Sequence, residues 1–281
     1  MSSKSFSPGR KKSSRSRRRP KTSAGRNSRF SIPSRNSTKS SNAGESRQKF
    51  IFVVRIYPFT DDTQKIMVLE KLIIYGASFI DAVRLVHVIN QRQPRWQMIG
   101  FIDDDPLRRG STVWGYPVLG NYEDLQDYLS RAGEVSVFNN VNASITAHKT
   151  VAEKIDRLGV RVPSLIHPDV NTEGVTIGRG IFIPDGCIVG CNTVIGDYVT
   201  FRYGVVVSHD VRIGNFVFFA PGVVCTSHAV IEPETFLGAC CTIVNGVTIG
   251  RGSVIGAKTL VNKNVRPNTT IIGIPGREKK M

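Results

Sequence analysis

The sequence predicts a protein of the α/β plus β class, in which a parallel sheet covered by helices precedes a parallel β-helix. Two observations predict this architecture. Apolar residues recur at every sixth position from Ile177 to Val261, and strand-like segments alternate with helix-like segments from Lys71 onward. A third observation separates off the first 48 residues, which are basic and almost free of apolar side chains. We therefore predict four regions, residues 1–48, 49–70, 71–163 and 164–281.

The basicity of the chain belongs to its first region. Residues 1–49 contain fifteen Lys or Arg and the single acid Glu45, whereas the remaining 23 basic and 21 acidic residues nearly cancel. We expect residues 1–48 to be disordered, because they bury too little apolar surface to offset the entropy of ordering. Arg15–Lys21 is typical of a nuclear-localisation signal or a nucleic-acid-binding patch. The Ser- and Arg-rich composition is also typical of an organelle transit peptide. A third interpretation is a solvated tail without a function of its own. Nucleic acid is therefore a partner only through this tail.

The second region leads into the folded part. Its apolar run Phe50–Ile56 is broken by Pro58 and Asp61. This pattern fits either an extra strand or an arm that docks on a neighbouring molecule.

The third region begins with a strand, a turn and a helix. Leu72–Tyr75 is predicted as a buried strand, Gly76–Ser78 as a turn and Asp81–Gln91 as a helix. Met98–Ile102 is predicted as a second strand, and it ends in the acidic run Asp103–Asp105.

Two further helices and a strand complete the sheet region. Asn121 is predicted to cap a short helix, and Val135–Phe138 is predicted as the third strand. A longer helix is predicted from Ile145 to Leu158, with Gly159 just past its end.

Two loops of this region are candidates for a ligand site. The carboxyl ends of parallel strands share one edge, so Gly76–Phe79 and Asp103–Asp105 should face one crevice. A turn at a helix N-terminus suits a phosphate, and a following acid suits a sugar hydroxyl. The turn has one Gly where a dinucleotide fingerprint needs three, which excludes a nicotinamide or flavin site. The alternative is that the acidic loop is simply exposed to water.

The fourth region consists of hexapeptide repeats. Fifteen apolar residues mark the repeat without interruption: Ile177, Ile183, Val189, Ile195, Phe201, Val207, Ile213, Phe219, Cys225, Ile231, Leu237, Ile243, Ile249, Ile255 and Val261. Three hexads per triangular turn give five coils, with the marked side chains in the axial core. No long loop interrupts the repeats, so any chemistry must come from the coil surface, with a neighbouring subunit closing the site.

Histidine and acidic residues in the repeats are the candidate catalytic groups. His209 lies two positions after Val207, which predicts a coil corner, and Asp210 follows directly. A histidine beside a carboxylate has the components of a general base. His228 is a weaker candidate. We predict no metal, because a β-helical site of the γ-carbonic anhydrase kind needs three histidines and the repeats hold two. His87, His148 and His167 are predicted to be structural or surface residues.

The cysteine content and the hydropathy limit the compartment. Five cysteines without C-x-x-C spacing favour a reducing, intracellular and cytoplasmic location, although the basic tail leaves organelle or nuclear targeting open. Cys225 occupies a core position of the repeat and is predicted to be buried. We expect neither a membrane span nor a secretory signal, because no apolar run is long enough.

Six segments carry a resemblance to a known family: Leu72–Ala77, Gly100–Asp105, Gly115–Gly120, Leu165–Pro168, Val207–Gly214 and Ile272–Gly276. Through them the chain from Lys71 to its end resembles the sugar O- and N-acyltransferases, which include sialic acid O-acetyltransferases and UDP-4-amino-sugar N-acetyltransferases. The resemblance implies a Rossmann-like N-terminal domain, a left-handed β-helix and a homotrimer with sites between subunits.

The resemblance also implies roles for particular residues. His209 matches the general base, Asp210 matches the acid that raises its basicity, and a main-chain N–H near Ser227 matches the oxyanion donor. Acetyl-CoA, the implied co-substrate, would lie near Ala239 and Ala257. The nucleotide-sugar would lie in the crevice, at the following residues: Gly76, Ala77, Ser78, Asp103, Asp104 and Gly120.

The chain departs from the family at several positions. Phe218 stands where many relatives have a second histidine that contacts the acetyl donor. Phe79 and Ile80 follow the Gly76 turn where small residues and His are common, and Phe138–Asn140 replaces an Ile-Gly pair.

Taken with the resemblance, the sequence predicts an acetyl-CoA-dependent N-acetyltransferase of a UDP-linked 4-amino sugar. The alternatives are a sugar O-acetyltransferase and a non-catalytic β-helical scaffold with a nucleic-acid-binding tail.

Overall fold

The computed structural model of the protein describes residues 68–279. The predictions for the basic tail 1–48 and for almost all of the lead-in 49–70 lie outside the described residues. The described residues all fall in one compact unit. None of the helices in residues 68–279 has the length and apolarity needed to cross a membrane.

A five-stranded sheet with three helices forms the first part of the described chain. Its elements, in order, are β1 (Glu70–Tyr75), α1 (Asp81–Arg92), β2 (Trp96–Ile102), a 3-10 turn (Pro106–Arg108), β3 (Thr112–Val113), β4 (Tyr116–Gly120), α2 (Tyr122–Ala132), β5 (Ser136–Asn139) and α3 (Ile145–Arg157). The strand order is β3-β4-β2-β1-β5. All pairs are parallel except the β3–β4 hairpin. The helices and the three main strands agree with the sequence prediction to within two residues at each end.

Local capping explains where α2 begins and where α3 begins and ends. The Asn121 side chain accepts a hydrogen bond from the Asp124 N–H, and the Asp124 carboxylate accepts one from the Asn121 N–H, which completes a capping box for α2. Ser144 caps α3 through the Ala147 N–H. Gly159 follows α3 with a φ of 64°, as predicted for a residue just past a helix end. Strands β3 and β4 were not predicted, because their short sequences show no clear alternation of apolar and polar residues.

Fifteen two-residue strands form the repeats, one for each hexad. They are β7 (Thr176–Ile177), β8 (Phe182–Ile183), β9 (Ile188–Val189), β10 (Val194–Ile195), β11 (Thr200–Phe201), β12 (Val206–Val207), β13 (Arg212–Ile213), β14 (Phe218–Phe219), β15 (Val224–Cys225), β16 (Val230–Ile231), β17 (Phe236–Leu237), β18 (Thr242–Ile243), β19 (Thr248–Ile249), β20 (Val254–Ile255) and β21 (Leu260–Val261).

Every third strand of the repeats joins the same parallel sheet. The three sheets run β7-β10-β13-β16-β19, β8-β11-β14-β17-β20 and β9-β12-β15-β18-β21. The second sheet is extended by β6 (Leu165–Ile166) at one end and by β22 (Thr270–Ile272) and β23 (Arg277–Glu278) at the other. We name the three after their strands, the β8, β12 and β13 sheets. The prediction of five uninterrupted coils is confirmed, and residues 18 positions apart are neighbours on successive coils.

The marked residue of each hexad points into the axis of the solenoid. All fifteen are buried except Ile177 on the first coil, which is half-buried. Phe201 and Phe219 stack with ring centroids 4.6 Å apart inside the core. Cys225 is fully buried as predicted, and burial raises the pKa of its thiol, so it behaves as a small hydrophobe.

The N-terminal sheet packs on the outer face of the β8 sheet. Phe182 lies in the same buried cluster as Leu72 and Phe138, and the Phe138 and Phe182 rings are 6.3 Å apart. Arg202 of the solenoid pairs with Asp81 at the start of α1. These contacts hold the strand-end loops of the sheet beside the solenoid.

Candidate active site

The corner between β12 and β13 carries the predicted catalytic pair. Asp210 adopts the left-handed backbone region with a φ of 60°, which turns the chain from one sheet to the next. Its N–H donates to the Cys191 carbonyl on the preceding coil at 3.0 Å. The preceding coil lies very close here, because a Cβ added to Gly190 would lie 2.5 Å from the main-chain nitrogen of His209. The backbone therefore fixes the position of His209 on the surface.

Both nitrogen atoms of His209 make hydrogen bonds. Nδ1 lies 2.7 Å from Asp210 Oδ2, and Nε2 lies 2.9 Å from the Ser227 Oγ. Because a carboxylate accepts only, Nδ1 carries the proton and Nε2 presents its lone pair to the Ser227 hydroxyl. The hydrogen bond from His209 lowers the pKa of the Asp210 carboxyl. The arrangement is that of a general base whose tautomer is set by an acid.

The hydroxyl of Ser227 is a contact that the sequence analysis did not identify. Ser227 is 18 residues after His209, so the coil length places it beside His209 on the next coil. Its Oγ also lies 2.9 Å from the Ser208 Oγ. Among the described residues, no acceptor takes the Ser227 main-chain N–H, which leaves it available to a ligand oxygen. The coil period is the sequence signal that could have found this contact.

His228, the weaker candidate from the sequence, lies beside the pair. Its ring meets the His209 ring edge-on, with centroids 5.5 Å apart. One donor atom from each of His209, Asp210 and His228 lies within 4.8 Å of the others, so the three side chains could hold a metal ion. The count of histidines alone did not anticipate that a carboxylate would complete such a set. In the structure both ring nitrogens of His209 already have hydrogen-bond partners. This arrangement fits proton transfer by His209 better than it fits metal binding.

The two loops predicted to line a crevice meet where β1 and β2 end. The Ala77 N–H donates to Asp103 Oδ2 at 2.8 Å, and the Gly76 N–H donates to the Ile102 carbonyl at 2.7 Å. Gly76 has a φ of 103°, and a Cβ there would lie 2.8 Å from Val141 Cγ2, so only glycine fits. Ala77 is buried and Ser78 is exposed. The Asp103 carboxylate thus ties the two loops together.

Asp104 is held by a network within the protein. Its carboxylate accepts hydrogen bonds from Tyr75 Oη at 2.8 Å, Lys154 Nζ at 2.7 Å and the Tyr122 N–H at 3.1 Å. Burial alone would raise the pKa of Asp104, but the hydrogen bonds from Lys154 and Tyr75 lower it below its ordinary value. Gly120 adjoins this network, since its carbonyl accepts from the Asp103 N–H at 2.9 Å. These acids organise the crevice, and their acceptor capacity is largely used.

Of the residues predicted to contact the acetyl donor, Ser227 lies beside His209 in one chain. Phe218, Ala239 and Ala257 do not. Ala239 and Ala257 lie on successive coils at the corner after the β8 sheet, where the Lys258 N–H donates to the Ala239 carbonyl at 2.8 Å. Phe218 lies on the outer face of the β8 sheet, stacked on Phe236 at 5.3 Å. His209 lies at the corner between the β12 and β13 sheets. The chain therefore presents the two parts of the predicted site on different sides of the solenoid.

A small cavity lies where the N-terminal end of α3 meets the solenoid. It has a volume of about 60 Å³, and its walls include Ser144, His148, Tyr198, Phe216 and Phe218. His148 Nδ1 donates to the Val141 carbonyl at 2.8 Å, while its Nε2 is buried and finds no hydrogen-bond partner among residues 68–279. Burial lowers the pKa of His148, although the carbonyls of Val141 and Tyr198 act in the opposite direction. His148 is packed as predicted, but one of its nitrogens is unsatisfied.

Comparison with known proteins extends these observations. Residues 228–263 match the family model "Bacterial transferase hexapeptide (six repeats)". A serine acetyltransferase of Bacillus pumilus (strain SAFR-032) is 31% identical over 114 residues, which are 40% of this chain and 46% of the relative. The chain thus spans about half the length of the curated relatives it matches.

Solved structures of similar fold cover both parts of the described chain. PerB from Caulobacter crescentus, in complex with CoA and GDP-perosamine, has a TM-score of 0.68 at 24% identity and covers 76% of this chain and 99% of its own. The acetyltransferase domain of PglB from Neisseria gonorrhoeae FA1090, in complex with acetyl coenzyme A, has a TM-score of 0.66 at 24% identity. The match covers 75% of this chain and 100% of the PglB domain. The N-terminal sheet and the repeats therefore occur together in other proteins.

Proposed function

We propose that this hexapeptide-repeat protein, whose solenoid is of the bacterial transferase type, is an acetyl-CoA-dependent N-acetyltransferase of a nucleotide-linked 4-amino sugar. The proposal includes a left-handed coil, a Rossmann-like N-terminal domain and a homotrimer. The observation that carries it is the His209–Asp210 pair at a solvent-accessible coil corner, with Nδ1 2.7 Å from the carboxylate.

The pair supplies the proton transfer that amide formation needs. The acceptor must attack the thioester as a neutral amine, and its nitrogen loses a proton as the new C–N bond forms. His209 Nε2 can take that proton, because Asp210 holds the other nitrogen protonated and stabilises the resulting imidazolium. The free N–H of Ser227 can donate to the oxyanion, a contribution of about 2.7–4 kcal/mol in comparable sites. The same groups would serve a hydroxyl acceptor.

The crevice supports a nucleotide-sugar as the acceptor. The Gly76 turn lies at the carboxyl end of a central parallel strand, where phosphate-bearing ligands bind in open α/β sheets. Ser78 is exposed in the same loop and offers a hydroxyl. PerB, which shares this fold, was solved with a nucleotide-linked sugar, GDP-perosamine. The sequence resemblance favours a UDP-linked sugar, so the assay includes both nucleotides.

The separation of the two half-sites supports a site between subunits. His209 leaves 52% of its side chain exposed, whereas an efficient general base works in a site that excludes water. Ala239 and Ala257 lie at another corner of the same solenoid. In a cyclic trimer each interface joins one surface of a chain to a different surface of its neighbour. Three such interfaces would bring the two corners together.

The test combines the purified protein with acetyl-CoA and either a UDP-4-amino-4,6-dideoxy sugar or GDP-perosamine, and follows thiol release. We expect turnover on the amine, and we expect His209→Ala to reduce it about 10²–10⁴-fold. His87→Ala is the matched control, because Tyr116 on the N-terminal sheet is the sole hydrogen-bond partner of the His87 ring in the described chain.

Other outcomes would assign another function. Turnover on a hydroxyl acceptor with none on any amine would identify a sugar O-acetyltransferase. No turnover on either acceptor, with His209→Ala indistinguishable from the original protein, would favour the scaffold alternative.

A further inference from the structure

The small cavity between α3 and the solenoid is lined by residues of both parts of the chain. Asn142, Ala143 and Ser144 contribute from the loop before α3, and Phe218 and Phe236 contribute from the β8 sheet. Ala143 and Ser144 are exposed, which places the mouth of the cavity at the surface. Its volume of about 60 Å³ exceeds the roughly 10–15 Å³ that one water molecule needs. We name this cavity the α3 pocket.

His148 supplies a buried polar atom to the α3 pocket. The residue is only 6% exposed, and burial lowers its pKa, so the ring is neutral at pH 7. Nδ1 donates to the Val141 carbonyl, and in a neutral imidazole the other nitrogen then carries a lone pair. No donor among residues 68–279 reaches this Nε2. Because buried polar atoms are normally hydrogen-bonded, the lone pair indicates a ligand that brings its own donor.

Aromatic rings surround this acceptor. The Tyr198 and Phe216 rings stack 5.3 Å apart, and they meet the His148 ring edge-on at 6.1 and 6.2 Å. Phe218 and Phe236 stack beside them, also at 5.3 Å. Apolar walls with one placed polar group are the usual form of a small-molecule site. The chemistry fits a ligand edge made of C–H groups and one hydroxyl, whereas an anion would face the lone pair of Nε2.

The α3 pocket adjoins the loop at Gly76. Strands β1 and β5 are parallel neighbours, so the loops that follow them leave the same edge of the sheet. In the loop after β5, Asn140 Nδ2 donates to the Gly76 carbonyl at 3.0 Å. The next residue, Val141, holds the ring of His148, and Asn142 lines the pocket. A ligand bound at the Gly76 turn can therefore extend along this loop into the pocket.

We propose that the α3 pocket receives the hydroxyl-bearing edge of the acceptor sugar, and that His148 Nε2 accepts a hydrogen bond from that hydroxyl. The inference rests on the proposed function for the nucleotide at the Gly76 turn. It makes His148 a residue that determines sugar specificity, because a sugar without this hydroxyl would leave a buried acceptor unpaired. The base and the transferred group stay as proposed above.

The test measures binding in the absence of acetyl-CoA, so that no turnover occurs. The full-length protein is titrated in a calorimeter with UDP, a UDP-4-amino-4,6-dideoxy sugar, GDP and GDP-perosamine. The Kd of each free nucleotide divided by the Kd of its sugar-linked form gives the sugar ratio. We expect a sugar ratio of about 10–100 for at least one nucleotide, since the sugar satisfies a buried acceptor and covers apolar walls.

Two variants change the α3 pocket in different ways. His148→Phe keeps a planar ring but cannot accept a hydrogen bond, and we expect it to bring the sugar ratio close to one. Ala143→Leu adds bulk at the exposed rim and leaves His148 bonded to Val141, and it should lower the sugar ratio by filling space. The Kd of the free nucleotide should stay the same in both variants.

His87→Phe is the matched control, because it makes the same change on another helix, α1, outside the residues that line the pocket. It should keep the original sugar ratio. Thermal unfolding of each variant verifies that the fold is retained. If His148→Phe does not fold, the sugar ratio of Ala143→Leu decides by itself.

The outcomes separate the inference from the proposed function. A sugar ratio near one in the original protein, or a ratio that both folded variants leave unchanged, would overturn the inference and identify the pocket as a site for water only. The proposed nucleotide site would stand in that case. Failure of every nucleotide and nucleotide-sugar to bind the original protein would overturn the proposed acceptor and the inference together.

Discussion

At the scale of single residues, hydrogen bonding decides what each polar side chain can do. His209 and Asp104 illustrate this, since both were candidates from the sequence for contacts with substrate. His209 keeps an unprotonated nitrogen at the surface, because its other nitrogen carries the proton and donates it in a hydrogen bond to Asp210. Asp104 has its carboxylate occupied by Tyr75, Lys154 and the Tyr122 N–H. The first is therefore suited to react, and the second to hold the crevice in shape.

The buried His148 makes the stability of the fold sensitive to acid. Its folded-state pKa is lowered from the ordinary value of 6.5 by burial. Stability is therefore complete above pH 6.5 and falls as the pH drops from 6.5 toward the lower folded-state pKa, because only the unfolded chain takes up the proton there. We expect His148→Gln, which stays neutral and can still donate to the Val141 carbonyl, to flatten this part of the profile.

Urea unfolding at pH 8 and at pH 5 measures this effect. The original protein should lose more stability between the two values than His148→Gln does. Equal losses would show that His148 does not control the acid sensitivity.

At the scale of elements, the hexad repeat sets the close approach of successive coils. Its period explains why the marked residues fill the axis and why corners recur every six residues. The same closeness constrains the site, since Gly190 lies under His209 with no room for a side chain. A local change on one coil should therefore act on the residue above it.

Gly190→Ala tests this coupling between neighbouring coils. The added Cβ would lie 2.5 Å from the main-chain nitrogen of His209, so the His209 backbone must move away. We expect acetyl transfer to fall at least roughly tenfold, because a shift of about 1 Å at a reacting group can cost on the order of 10²-fold. Gly204→Ala is a control for the substitution itself, since a Cβ there meets nothing within 4 Å.

The readout for Gly190→Ala is the sugar acetylation assay together with thermal unfolding. A variant that keeps full activity would show that the coil below does not position His209. Gly204 has a φ of 70°, so its own substitution measures backbone strain without a clash at the site.

At the scale of the whole molecule, the two parts of the proposed site lie at different corners of one solenoid. His209 lies between the β12 and β13 sheets, and Ala257 lies at the corner after the β8 sheet. If the site forms between subunits, each interface needs one corner from each of two chains. A trimer mixed from two inactive variants should then contain some intact sites.

Mixed trimers of His209→Ala and Ala257→Arg provide the test. We expect each variant alone to be inactive, the first because it lacks the base and the second because the Arg side chain would fill the path of the donor. Co-expressed with two different tags and purified through both, they should recover about a third of the original activity, because one of the three interfaces in every mixed trimer pairs the two intact corners. Purified mixed trimers without activity would place both corners in the same site of one chain.

The sequence by itself determined the solenoid, its five coils and the position of His209 at a corner, because a period of six residues translates directly into buried and exposed positions. It also determined the facing loops at Gly76 and Asp103, since strand ends in a parallel sheet share one edge. Only the tertiary structure decided that Asp104 accepts a hydrogen bond from Lys154, 50 residues away, and that the buried Nε2 of His148 has no hydrogen-bond partner within the described part of the chain. It also showed that the Ser227 hydroxyl lies within hydrogen-bond distance of His209 Nε2. Such contacts depend on side-chain direction and on how the sheet packs against the solenoid, which no local pattern encodes.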